Sequence, residues 1–124
     1  VADRVEHFTP SCAASSSAVV SLVFSEAEID TIEVFIPKGH AGLTTFFLGY
    51  GTAQVIPFQP GDVLTGDDVR FTFDISSYPT GSQWAAFMTN NDVYVHVWEV
   101  TFYLTEITTD ETPGPLPILI VPYA

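Results

Sequence analysis

The chain has 124 residues, 47% of them hydrophobic, with 15 Asp and Glu against 3 Lys and Arg and a formal net charge of −12. That is enough apolar matter for one domain with a real core. The acidic excess repels phosphate and anionic headgroups, which excludes direct nucleic-acid binding and attachment to a membrane surface. In chain order, residues 1–17 read as an N-terminal arm, with the serine-rich stretch 11–17 as a flexible lead-in and Cys12 as a small buried or semi-buried side chain. Residues 18–24 (AVVSLVF) are apolar and β-branched, which favours a strand. Residues 25–30 (SEAEID) hint at a helical turn. Residues 31–36 alternate, with Ile32, Val34 and Ile36 on one face.

A glycine turn follows at 37–42, in which His40 is expected to brace the backbone. Residues 44–50 (TTFFLGY) form an aromatic strand, and residues 53–58 carry Pro57, which marks an edge, a bulge or a corner. Turn chemistry recurs at 59–62 and 65–68. Residues 69–75 alternate cleanly, with Val69, Phe71, Phe73 and Ile75 turned inward. A turn at 78–81, a strand at 84–89 and a turn at 90–92 come next. The longest strand is expected over 93–107. Its first half is apolar on both faces, so Val93, Val95 and Val97 read as a covered or receiving surface.

Residues 109–124 read as a C-terminal arm. Four prolines within 112–124 exclude a helix. Pro115 and Pro117 hold the arm extended, and Ile118, Leu119, Ile120 and Val121 have strand preference. Such a segment can add a strand to an exposed sheet edge. Short strands with turns between them predict an all-β fold: a single antiparallel β-sandwich over 18–108, jelly-roll-like, flanked by the two arms.

The chemistry-bearing residues are sparse. His7, His40 and His96 show no ligand spacing, and no serine lies in a Gly-x-Ser-x-Gly elbow. No cofactor and no catalysis are expected. Asp62, Asp67 and Asp68 supply carboxylates for a weak calcium site, although their spacing is not that of an EF-hand loop. Trp84, Trp98, Tyr50, Tyr94 and Tyr103 suit either a core or a sugar-stacking platform. Tyr78, in a turn, is the aromatic best placed for a glycan or receptor contact.

The motifs IPKGHAGLT (36–44), GYGTAQVIP (49–57) and NDVYVHVW (91–98) fall within residues 31–105. In them the chain resembles small all-β proteins found beside structural genes of tailed phages and related viruses. The resemblance implies a virion component on the outer particle surface: a capsid decoration, head-fibre or neck protein. Its partners would be copies of itself or a coat protein. The alternatives are an extracellular carbohydrate- or receptor-binding module and a filament subunit joined by donated strands.

Overall fold

The period-two patterning condenses into paired strands. The computed structural model describes residues 4–25, 27–59, 61–75 and 83–106. Along them run β1 Arg4–Phe8, β2 Ser11–Cys12, β3 Ser16–Leu22, β4 Glu28–Ile36, β5 Thr44–Tyr50, β6 Ala53–Ile56, β7 Val69–Asp74, β8 Trp84–Asn90, β9 His96–Val97 and β10 Glu99–Thr105. They form a first sheet in the order β1-β10-β4-β7, a second in the order β3-β8-β5-β6, and a small β2-β9 pair. Every pairing is antiparallel.

The two sheets pack face to face. Ile32, Val34 and Ile36 of β4 and Val100, Phe102 and Leu104 of β10 are buried on one side, and Phe46, Leu48, Trp84, Ala86 and Met88 on the other. Trp84 meets Phe102 edge-on at 5.5 Å, and Phe46 lies 5.7 Å from Trp98, so aromatic rings join the layers. The fold is therefore the expected antiparallel β-sandwich. Among the eight strands of the two large sheets, each connection except β5–β6 crosses between layers. That alternation is what a jelly roll would require. β6 is an edge strand that ends at Ile56, one residue before Pro57, as a missing backbone donor dictates.

Three local expectations change. The N-terminal segment is not an arm from Arg4 onward: β1 pairs with β10, and the Arg4 guanidinium donates to the Glu106 carboxylate at 2.7 Å and to the Ser25 carbonyl. Among the described residues of 25–30 there is no helical turn; β4 begins at Glu28, with Ala27 and Ile29 buried. The long strand over 93–107 is broken. Asp92 Oδ1 accepts from the Val93 N–H at 2.6 Å, Asn90 Oδ1 accepts from the Asp92 N–H at 2.9 Å, and Asn90 Nδ2 donates to the Tyr94 carbonyl at 2.7 Å. These side-chain bonds compete with ladder pairing and bend residues 92–94 out of the sheet. Regular pairing starts only at His96. Val93, 74% exposed, and its neighbours Tyr94 and Val95 are therefore not central in a sheet of this chain but exposed on its surface. The arm residues Pro115, Pro117, Ile118, Leu119, Ile120 and Val121 lie outside the described residues, as does Tyr78.

Candidate functional site: an uncharged sheet face

Charge is segregated between the layers. The strands of the first sheet contain Arg4, Glu6, Glu28, Asp30, Glu33, Arg70, Asp74 and Glu99. The strands of the second sheet, SSAVVSL, TTFFLGY, AQVI and WAAFMTN, contain no charged residue at all.

Register arranges the outer face of the second sheet in rows across β3, β8 and β5. Val19, Phe87 and Phe47 stand side by side. One row away lie Ser17, Thr89 and Thr45; on the other side lie Ser21, Ala85 and Gly49. The Phe47 and Phe87 rings stack at 4.6 Å with only 4° between their planes. The middle row is thus an apolar ridge, flanked by one row of hydroxyls and one row of small residues. Gly49 makes room for this arrangement. A Cβ there would lie 2.9 Å from Phe87 Cε1 and 3.2 Å from the Ala53 carbonyl oxygen. Gly49→Ala is expected to cost about 1–3 kcal/mol of stability by overpacking, read from urea unfolding, and to tilt Phe87 off Phe47.

Beside the ridge, Phe47, Thr52, Ala53, Gln54, Phe58 and Phe87 line an open groove of about 560 Å³. A smaller hollow of about 250 Å³ lies across the ridge, walled by Ser17, Val19, Thr45, Val63 and Thr89 among others. Phe58 is 78% exposed at the groove wall. Gln54 sets its loop: the Nε2 amide donates to the carbonyls of Pro57 and Asp62 at 2.8 Å each and to that of Gln59 at 3.2 Å. One carboxylate, Asp62, belongs to this loop.

A second cluster closes one end of the sandwich, where two of the quoted motifs meet. His40 is 1% exposed, and its ring lies 4.3 Å from that of His96 and 4.8 Å from that of Trp98. His40 Nε2–H donates to the Val97 carbonyl at 3.0 Å, which leaves Nδ1 to accept from the Thr44 hydroxyl at 2.7 Å. Burial pulls the His40 pKa below its ordinary value; the Val97 carbonyl opposes this, His96 adds to it, and Asp67 and Asp92 oppose it. His96 Nε2–H donates to Asp92 Oδ2 at 2.8 Å. That bond, followed by the Val93 N–H, holds the Asp92 carboxyl below the usual range. Both histidines are packed and hydrogen-bonded. His40 does more than brace a turn: it is core.

The calcium set is not assembled. Asp67 Oδ1 already accepts the Gly39 and Ala41 N–H groups at 2.7 and 2.9 Å, and these amides lower its pKa, Ala41 foremost. Among the described residues no group of three or more His, Cys, Asp or Glu side chains is placed to hold a metal ion. On the first sheet's outer face His7 Nδ1 meets the Thr101 hydroxyl at 2.8 Å, with Glu99 3.7 Å from Nε2. Both His7 and Glu99 are well exposed there, so the trio lacks the dry, shaped surroundings of a nucleophilic site. Trp84 and Trp98 are core, not platform, and Cys12 is buried.

Sequence reasoning missed the ridge and the groove. Its signal was present as charge-free strands, but strand composition alone does not say which strands share a sheet.

No family model matches the sequence, and no curated protein matches it. Among solved structures, the Yersinia pseudotuberculosis-derived mitogen is similar at 10% identity over 91% of this chain and 98% of that chain, with a TM-score of 0.49. PliG of Aeromonas hydrophila, a periplasmic inhibitor of g-type lysozyme, is similar at 12% identity over 82% of this chain and 86% of that chain, with a TM-score of 0.42. Neither is a virion protein: the virion role expected from the resemblance, capsid decoration included, finds no counterpart in them and is set aside. At such identities and scores neither likeness carries an argument about what this chain does.

Proposed function

We propose that the chain is a non-catalytic binding module that engages a protein partner through the outer face of the β3-β8-β5-β6 sheet. The observation that carries this reading is the charge segregation: a chain of net charge −12 keeps four adjacent strands free of charge. Acidic surface maintains solubility and resists contact, so a sheet face left bare is the place where contact is cheap. The face also has the anatomy of an interface core, with stacked aromatics in the middle and hydroxyls beside them.

Sugar binding is the weaker reading. It needs polar groups converging on an aromatic floor. The groove offers Thr52 and Gln54, and the Gln54 amide is committed to three loop carbonyls.

A neutral solvatochromic dye, Nile red, probes the face without repulsion from the acidic surface. The folded chain is expected to bind it, and Phe58→Asp to reduce the fluorescence enhancement by about tenfold. Phe58 is exposed, so the substitution leaves the core intact. Dye binding that is absent, or indifferent to Phe58→Asp, would show that the groove is not an accessible apolar site.

A further inference from the structure

We propose that the partner on this face is a second copy of the same chain, packed sheet against sheet about a two-fold axis; the inference rests on the reading just given. Two features single out a copy. The first is electrostatic. Two molecules of net charge −12 repel at most approaches, and the first sheet carries acids along β1, β4, β7 and β10. The strands β3, β8, β5 and β6 let two copies meet with no like charges opposed between them, Asp62 lying at the rim in the groove loop, and they offer no charge for a basic partner to pair with.

The second is shape. A two-fold contact requires a surface that complements itself. The Val19–Phe87–Phe47 ridge has a low row beside it, Ser21–Ala85–Gly49, which leads toward the groove walled by Phe58. Turned over, the ridge of one copy lies in the low row of the other, and the reverse holds by symmetry. Packed sheets interdigitate in this way across about 10 Å. The size sets the strength. Three strands of seven residues and one of four, about 4.8 Å apart and at about 3.3 Å per residue, give a footprint of roughly 400 Å² per copy. Doubled, and with the Phe58 and Val63 loops added, the buried area reaches about 1,000 Å², the lower bound of a specific interface. The dimer is accordingly weak and concentration-dependent, with a dissociation constant in the micromolar range or above.

Sedimentation equilibrium up to about 1 mM protein tests this. The unaltered chain should shift from monomer to dimer, and Nile red should be displaced as it does. Val19 is 62% exposed at the end of the ridge, so it can be changed without disturbing the fold. Val19→Asp and Val19→Lys should each weaken association about tenfold or more, because either charge is buried without a partner. If Val19→Lys instead strengthens it, net charge and not this face governs association, and the proposal is overturned. Thr72→Asp, on the outer face of the first sheet, should leave association near the unaltered value; loss there would place the contact on the wrong sheet. A chain that stays monomeric throughout yet binds Nile red in a Phe58-dependent way overturns the second copy alone. Failure of both overturns the binding-face reading as well.

Discussion

Replacing Trp98 by alanine is expected to lower the unfolding free energy by about 3–5 kcal/mol, the range for truncating a fully buried tryptophan. Trp98 lies between β9 and β10 and is fully buried. Its backbone N–H donates to the Pro10 carbonyl at 3.0 Å, while its ring touches Phe46 in the opposite sheet and His40 in the 37–42 turn. One side chain thus holds the two layers and the closing turn together, and its removal leaves a cavity that three elements would have to collapse into. The indole N–H finds no acceptor among the described residues. Trp98→Phe keeps a ring and deletes that unpaired donor, so it should cost only about 1 kcal/mol. Urea unfolding followed by circular dichroism separates the two variants. Equal losses would mean that the indole volume, and not the aromatic bridge, carries the effect.

Acidification below neutral pH is expected to destabilise the fold, and His40 to be the cause. In the folded state burial holds the His40 pKa below 6.5, so the ring stays neutral where the unfolded chain takes up a proton. Its stabilising contribution is complete above about 6.5 and is lost as pH falls from there through the lower folded value. The facing groups are His96, which opposes protonation, and Asp67 and Asp92, which favour it without overcoming burial. Both carboxyls are themselves held below 3.8, so their own contributions persist above that value and are lost only as pH falls through the folded values. His40→Leu removes the titrating group. It also strands the Val97 carbonyl and the Thr44 hydroxyl, for a cost of about 2–4 kcal/mol at neutral pH. In that variant the slope of melting temperature between pH 7 and pH 5 should flatten. A slope as steep as that of the unaltered chain would assign the acid sensitivity to another group.

Much of the fold was legible where a strand is covered on one face and wet on the other. Val69, Phe71 and Phe73 alternate with Arg70, Thr72 and Asp74, and β7 forms as that pattern demands. The same held for β4 and for β10 beyond Trp98. β1 was not legible. RVEHF sits at a sheet edge with an arginine and a glutamate on the inward side, paired to Glu106, Ser25 and each other, so its polarity resembled a free arm. The break after Asn90 was hidden because Val93, Tyr94 and Val95 have every local preference for a strand; three Asx-type bonds outweigh it. The aspartates show the same limit. Asp67 looked like a cation ligand in sequence, but the backbone amides it serves lie 26 and 28 residues away. The candidate face depended on long-range pairing in the same way: Val19, Phe87 and Phe47 become neighbours only once β3, β8 and β5 are laid side by side.

The separation of charged from uncharged strands also makes the molecule a lopsided anion. The charge borne by its strands, six acids against two arginines, lies in one layer, which contributes an electric moment across the thickness of the sandwich. In the field of any anionic boundary such a body turns before it touches, with its charged layer trailing and its bare layer leading. The turning persists over roughly a Debye length, about 8 Å at physiological ionic strength, and grows as salt is removed. The strand charges therefore bias orientation on approach before any side chain of the bare face makes contact.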